Sequence, residues 1–124
     1  MKISADQKGR LAEEKARLFL EGKGHKTAFH RYKTPYGEID FLMAHERTLI
    51  AVEVKYRNGP ISNAAESITP KQKQRIQNAL IHFLQNQPSY AAEYPFLQFD
   101  VVLLCTSKAI VHIPNAWQIE SESL

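Results

Sequence analysis

The chain has 124 residues, enough for one domain with a single hydrophobic core, and its composition (44% hydrophobic, 23% charged, no low-complexity run) excludes a disordered polypeptide. No stretch approaches the ~18 apolar residues of a membrane span, and the single cysteine fits a reducing compartment, so we expect a cytoplasmic protein without a membrane partner. The formal charge of +3 is compatible with an anionic partner such as nucleic acid, although it does not by itself indicate one.

The first predicted element is a helix from Ser4 to about Glu21. Ser4 and Gln7 have the spacing of a capping box at its start, and two glycines end it. One face of the helical wheel is small and apolar and the opposite face is charged, which predicts a half-buried helix. The inward face consists of Gly9, Ala12, Ala16, Phe19 and Leu20. Glu13 lies at the seam between the two faces.

Extended segments follow this helix. A short one covers residues 27–32 and leads to a Pro-Tyr-Gly turn. Two strand-like runs come next, Glu38–Ala44 and Leu49–Tyr56, the second with alternating β-branched residues. The polar residues 45–48 between them have the length of a hairpin loop.

A second helix is predicted to begin with Thr69 as N-cap and Pro70 at the first helical position. Its apolar stripe has the spacing of a half-buried helix and consists of Ile76, Ala79, Leu80, Phe83 and Leu84. Pro88 and Pro95 then bracket a predicted loop.

Two more strands are predicted, Phe96–Cys105 and Ala109–Ile113, joined by residues 106–108. Cys105 ends an apolar run and is expected to be a small buried hydrophobe. Asp100 in the same run is expected to be either a buried, hydrogen-bonded carboxylate or a residue at a strand edge. The order of helix, strands, helix and strands predicts one α/β domain over the whole chain, with helices flanking a mixed sheet.

Two carboxylates and one lysine are expected to meet on this sheet. Glu53 and Lys55 are two residues apart in a strand and therefore project from the same face. If the hairpin loop is residues 45–48, the register places Asp40 opposite Glu53, with Cβ atoms ~4.5–5.5 Å apart. Neighbouring carboxylates repel unless one holds a proton, and a divalent ion such as Mg²⁺ removes that repulsion.

This constellation contains the minimum parts for hydrolysis of a phosphodiester bond. A metal polarises the phosphoryl oxygen and lowers the pKa of the attacking water, and Lys55 can stabilise the developing negative charge. The alternative, a Glu–Lys pair on a solvent-facing edge of the sheet, stays open from the spacing. The five histidines lack the spacing of metal ligands, so a zinc site is not expected.

Further charged residues have a functional and a structural interpretation. Glu38 shares the face of Asp40 and is either an additional carboxylate of the site or a residue that ends the preceding turn. Five cations, Lys33, Arg57, Lys71, Lys73 and Arg75, are candidates for contacts with nucleic-acid phosphates. An ordinary solvated surface explains them as well, although cations near a helix N-terminus oppose its dipole.

Several motifs occur in an order that resembles a known family. They are Gly9-x-x-Ala12-Glu13-x-x-Ala16-x-x-x-Leu20, Gly37-Glu38-Ile39-Asp40, Val52-Glu53-Val54-Lys55-x-Arg57, Pro70-Lys71 and Phe99-Asp100-Val101-Val102. Together they are similar to the YraN family of bacterial proteins. The fold of that family resembles archaeal Holliday junction resolvases and restriction endonucleases, the PD-(D/E)xK superfamily.

The resemblance implies a restriction-endonuclease-like three-layer sandwich with a mixed central sheet, and an active site that uses Mg²⁺ or Mn²⁺. It implies that Asp40 and Glu53 hold the metal with help from the carbonyl of Val54, and that Lys55 lies beside the attacking water. It also implies that Glu13 reaches the same site as a catalytic residue and metal ligand. A solvated carboxylate at the helix edge is the alternative for Glu13.

The sequence is therefore interpreted as a metal-dependent endonuclease that hydrolyses DNA and that could be specific for a DNA structure. A four-way junction needs two symmetric cuts, so this substrate would imply a homodimer. A second interpretation keeps the fold without catalysis, as a nucleic-acid-binding or partner-recruiting module. A third is a plain α/β domain without a nucleic-acid role.

The sequence departs from the family pattern at three positions. Arg31 stands where the family usually has Asn, Gln98 where it has Arg, and Ala51 where it has Phe. We expect none of the three to touch the metal ligands. Substrate contacts made by these positions would differ from those of the family.

Overall fold

The computed structural model describes residues 4–57, 68–105 and 110–119. In chain order its elements are α1 (Ala5–Gly22), β1 (Lys26–Thr34), β2 (Gly37–His45), β3 (Thr48–Arg57), α2 (Pro70–Asn86), α3 (Pro88–Glu93), β4 (Phe96–Cys105) and β5 (Ile110–Trp117). The five strands form one sheet in the order β1-β2-β3-β4-β5. All neighbouring strands are antiparallel except β3 and β4, which are parallel and have α2 between them in the chain. The predicted mixed sheet is confirmed.

Both long helices begin with a capping box. The Ser4 hydroxyl accepts a hydrogen bond from the Gln7 backbone, and the Gln7 side chain accepts one from the Ser4 backbone. Thr69 and Gln72 make the same reciprocal pair at the start of α2. Each box satisfies two backbone donors that would otherwise be unpaired, so these caps determine where the helices start.

The two helices pack on opposite faces of the sheet. The cluster under α1 consists of Ala12, Ala16, Leu20, Phe41, Met43, Ile50, Val52, Val102 and Leu104. The cluster under α2 consists of Ile39, Leu42, Leu49, Ala51, Ile76, Ala79, Leu80, Phe83 and Phe99. Small residues of α1 allow its backbone to approach the sheet closely. The result is helix, sheet and helix in three layers, the α/β sandwich predicted from the sequence.

The prediction of a loop between Pro88 and Pro95 is wrong. Pro88 begins the short helix α3, where its fixed φ and missing N–H are tolerated. The Tyr90 ring of this helix packs 5.0 Å from that of Phe83 on α2, so tertiary packing holds a segment that has no strong helical pattern.

The last strand is longer than predicted, because it continues through Pro114 to Trp117. A proline is accepted there because β5 is an edge strand and its missing N–H is not needed by a neighbour. The predicted connection 106–108 lies outside the described residues. Within the described ranges, no helix has both the length and the apolar character required to cross a membrane.

Candidate active site

The β2–β3 hairpin positions the candidate site, and its register is the predicted one. Ala44 pairs with Leu49, and the ladder continues as far as Phe41 and Val52. The hairpin closes with a two-residue turn rather than the four-residue loop that was expected. The same register would next place Asp40 opposite Glu53, so the carboxylates lie where regular pairing of the two strands ends.

At this point a side chain replaces the backbone as hydrogen-bond partner. The backbone N–H of Val54 donates to Asp40 Oδ2 at 2.8 Å. Asp40 thereby keeps one backbone donor of β3 satisfied and is itself held in one orientation. The end of the ladder is thus stabilised by the same carboxylate that the sequence selects as a metal ligand.

Glu53 and Lys55 project together from β3, as the alternation predicted. Lys55 Nζ lies 3.3 Å from Glu53 Oε1, and the two side chains are 18% and 16% exposed, respectively. The carboxyl group of Asp40 is close enough to Glu53 for the charge of Glu53 to act on it. The three central residues of the predicted site therefore lie together and act on one another, and Glu53 and Lys55 are mostly screened from water, which a Glu–Lys pair on an open sheet edge would not be.

Burial and mutual repulsion make this pair of carboxyl groups hold a proton. Burial is the main reason that the pKa of Asp40 rises to about 8, and the neighbouring charge of Glu53 adds to it. The hydrogen bond from Val54 acts in the opposite direction. Burial also raises the pKa of Glu53, against the attraction of Lys55. Two neighbouring carboxyl groups with raised pKa values fit a hard divalent cation, which would replace the proton.

The free energy of unfolding of the metal-free protein is expected to fall as pH rises from about 4 to about 8 because of Asp40. In this window the folded protein binds a proton that the unfolded chain has lost, so folding is favoured at the lower pH. Asp40→Asn should remove this part of the slope, since an amide can still accept the Val54 hydrogen bond. Denaturant unfolding of both proteins across this range, with chelator present, measures the difference. Parallel curves would contradict the assignment.

Glu13 lies near the carboxylate pair but is bound elsewhere. Its Oε2 accepts hydrogen bonds from His30 Nε2 at 2.9 Å and from Arg31 Nε at 3.0 Å. Its charge nevertheless contributes to the raised pKa of Asp40. Among residues 4–57, 68–105 and 110–119, no three histidine, cysteine or acidic side chains are close enough together to hold one metal ion. In this conformation, therefore, Glu13 does not complete the ligand set with Asp40 and Glu53.

The contact of Arg31 with Glu13 corrects one expectation. Arg31 departs from the family pattern and was expected not to touch a metal ligand, yet it binds the carboxylate of Glu13 directly. The expectation failed because it treated position 31 as an ordinary strand residue. Its φ is 54°, in the left-handed region, so its side chain does not follow the alternation of a regular strand.

The five candidate cations do not form one patch. Arg75 of α2 packs close to Gly37, and its charge acts on the carboxylate of Glu53. Lys73, two residues earlier, instead lies 5.9 Å from the ring of Trp117. Arg75 thus joins the candidate site, whereas Lys73 faces the side of α2 that meets β5.

The other three candidate cations for nucleic-acid phosphates, Lys33, Arg57 and Lys71, are exposed at the surface. Lys71 is exposed in the first turn of α2, and Lys33 is exposed on β1, where it pairs with Glu38 of β2. Arg57 is exposed at the end of β3 and donates to the Tyr56 carbonyl at 3.2 Å. Glu38 is exposed too, which is consistent with its structural interpretation as the residue after the turn.

Asp100 belongs to a separate polar cluster. It is completely buried and accepts hydrogen bonds from the side chains of Gln98 (2.8 Å) and His112 (2.7 Å) and from the Asn115 backbone (2.9 Å). These donors come from β4 and β5, so Asp100 ties the edge strand to the sheet. The buried, hydrogen-bonded alternative is therefore the one that the structure has, and Cys105 is buried as expected.

The fold and the site together define a class of protein: a three-layer α/β sandwich, compatible with a nuclease-like fold, in which paired carboxyl groups and a lysine meet where two strands separate. Within that class, the chain belongs to the Uncharacterised protein family UPF0102, the YraN family that its motifs resemble, and the sequence model of this family matches residues 12–104.

Bacterial relatives share most of the chain. A UPF0102 protein of Rhodopseudomonas palustris (strain BisB5) is 41% identical over 117 residues, which are 94% of this chain and 86% of the relative. A UPF0102 protein of Parvibaculum lavamentivorans is 39% identical over 94% of this chain and 85% of its own length. One from Nitrobacter winogradskyi is 35% identical over 94% and 97%, respectively. The residues that the family model matches include the candidate site, Asp40, Glu53 and Lys55.

Proposed function

We propose that the protein is a Mg²⁺- or Mn²⁺-dependent nuclease that hydrolyses phosphodiester bonds in DNA. The observation that carries the proposal is the mostly buried contact of Asp40, Glu53 and Lys55. A protein without a cation for this site would keep two repelling carboxyl groups under cover at a cost in stability. A divalent ion removes that cost and leaves coordination positions for water and for substrate phosphate.

Each residue of the proposed site has a distinct task. Asp40 and Glu53 would hold the metal, with the Val54 carbonyl as a further oxygen ligand. When bound, the metal supplies a polarised phosphoryl oxygen and a water of lowered pKa. Lys55 positions the attacking water and stabilises negative charge that develops on the phosphate. Arg75 of α2 acts on Glu53 as well, and its positive charge, with the larger effect of Lys55, opposes the rise in the pKa of that carboxyl group that burial causes.

A cleavage assay on linear, single-stranded, flapped and four-way DNAs, with Mg²⁺, Mn²⁺ or chelator, tests the proposal. We expect cleavage of at least one substrate with metal and no cleavage with chelator. If the four-way junction is the preferred substrate, we propose a homodimer, because the two cuts are related by symmetry. Light scattering of the protein with and without junction DNA measures that state.

Two carboxylate variants serve as a matched pair in this assay. Glu53→Gln removes a proposed ligand and should abolish cleavage, whereas Glu38→Gln changes an exposed carboxylate of β2 and should keep it. Metal-independent DNA binding without cleavage of any substrate would contradict the nuclease. It would favour a nucleic-acid-binding module on the same fold, contacted by the cations of β1, β3 and α2.

A further inference from the structure

Arg31 has a backbone conformation that is unusual for its residue type. Its φ of 54° lies in the left-handed region, which non-glycine residues enter at a cost and which Asn tolerates best among them. β1 is also irregular just before it, between Thr27 and Phe29. In a regular strand His30 and Arg31 would point to opposite faces. Here both side chains reach the same oxygen of Glu13.

The two donors are more open to solvent than the carboxylate they share. The side chains of His30 and Arg31 are 48% and 36% exposed, whereas that of Glu13 is 14% exposed. The His30 ring stacks on Phe41 at 4.5 Å and 7°, which fixes its position. The carboxylate that both donors bind, Glu13, acts with its charge on Asp40, so the donor pair lies near the proposed metal site.

We propose that His30 and Arg31 form a binding site for a DNA backbone phosphate, and that Glu13 occupies this site in the free protein in place of the phosphate. The proposal rests on the proposed function only in taking nucleic acid as the substrate. A carboxylate and a phosphate are both oxyanions that accept charge-assisted hydrogen bonds from a guanidinium group. Glu13 engages one N–H of Arg31, whereas a phosphate can accept two parallel hydrogen bonds from a guanidinium group, so a phosphate is suited to replace it.

This arrangement makes Glu13 a competitor for DNA. A phosphate that approaches the pair meets a fixed negative charge and must displace it. The strained conformation of Arg31 is what brings its guanidinium to this position. Removing the charge of Glu13 should therefore strengthen DNA binding, and the gain should depend on Arg31.

Fluorescence anisotropy with labelled single-stranded and duplex DNA, in the presence of chelator, tests the proposal without any cleavage. We expect Glu13→Gln to tighten binding about tenfold. Glu14→Gln is the matched control, since Glu14 is the next residue of α1 and its carboxylate binds Arg17 rather than His30 or Arg31. It should tighten binding no more than about twofold, the general effect of one less negative charge.

The second arm removes the proposed donors. Arg31→Asn suits the backbone conformation, so it should fold; it should weaken binding and lower the slope of log K against log salt by about 1. His30→Gln should weaken binding without lowering the slope as much. In the double variant Glu13→Gln/Arg31→Asn the tenfold gain should disappear, which a merely additive charge effect would not produce.

Equal effects of Glu13→Gln and Glu14→Gln, or a gain that persists without Arg31, would overturn this inference. Absence of cleavage with the binding pattern intact would overturn the nuclease and leave the phosphate site standing. If the protein cleaves DNA but Arg31→Asn and His30→Gln bind DNA as tightly as wild type, the phosphate site is overturned and the nuclease stands. No binding by any variant at low salt would overturn the phosphate site.

Discussion

Lys55→Ala is expected to lower the rate of metal-dependent DNA cleavage by at least about 100-fold, the loss typical of removing a group that stabilises transition-state charge. Lys55 contacts Glu53 at 3.3 Å in a mostly covered environment, where a charge acts more strongly than in water. Its ammonium group is therefore placed to act on the water and the phosphate at the carboxylate pair. Single-turnover cleavage of the preferred DNA, with enzyme in excess, measures the chemical step.

Lys71→Ala provides the control, because Lys71 is also a lysine but is exposed at the start of α2. It should leave the single-turnover rate within about threefold of wild type, since exposed charges interact weakly through water. We expect a divalent metal to raise the melting temperature of wild type and of Lys55→Ala alike, because the proposed metal ligands remain in the variant. A Lys55→Ala protein that binds metal and DNA and cleaves at the wild-type rate would remove Lys55 from the mechanism.

Local signals account for the parts of the fold that sequence reasoning predicted well. The capping boxes and the Thr69-Pro70 start act over four residues, so helix starts can be read without tertiary information. A short polar connection between two alternating runs fixes an antiparallel register in the same way. The predicted register was sufficient to bring Asp40 opposite Glu53. The predicted four-residue loop was two residues longer than the turn in the structure.

The parallel pairing of β3 with β4 cannot be predicted from local sequence signals of this kind. It depends on α2 covering the sheet and crossing over it, which is a property of the whole chain rather than of a short segment. The resemblance to a family, rather than periodicity, is what implied the architecture in detail. The helix α3 was missed for the same reason, since the aromatic contacts of Tyr90 come from a distant element.

The site itself shows where sequence reasoning ends. Alternation predicted that Glu53 and Lys55 share a face, and it cannot predict that β2 leaves the ladder at Asp40 or that Val54 then donates to its side chain. Arginine is not a residue type that predicts a left-handed backbone conformation. The contact of Arg31 with Glu13 could therefore be found only in the structure. The exceptions to regular strand geometry at Asp40 and Arg31 adjoin the residues that carry the proposed chemistry, as is common at functional sites, whereas those of β4 and β5 lie elsewhere.

Asp100→Ala is expected to lower the free energy of unfolding by about 3–5 kcal/mol, the range for breaking a buried pair by removing one partner. The variant leaves the Gln98, His112 and Asn115 donors without their acceptor beside a cavity. Burial would raise the pKa of Asp100, but hydrogen bonds from His112, Asn115 and Gln98 outweigh it and lower the pKa below its usual value. The carboxylate therefore stabilises the fold above the ordinary pKa of aspartate, and this contribution is lost as pH falls further.

Urea unfolding at neutral pH measures the loss, with Asp6→Ala as the control because the Asp6 side chain is 69% exposed in a surface pair with Arg10. That variant should lose no more than about 1 kcal/mol. If Asp100 is purely structural, folded Asp100→Ala protein at low temperature should cleave DNA at close to the wild-type rate, in contrast to Lys55→Ala. A stable Asp100→Ala protein with lost cleavage would place this carboxylate in the active site instead. The hydrogen bonds to its side chain all come from β4 and β5 and none from the proposed site residues, and for that reason we expect the structural outcome.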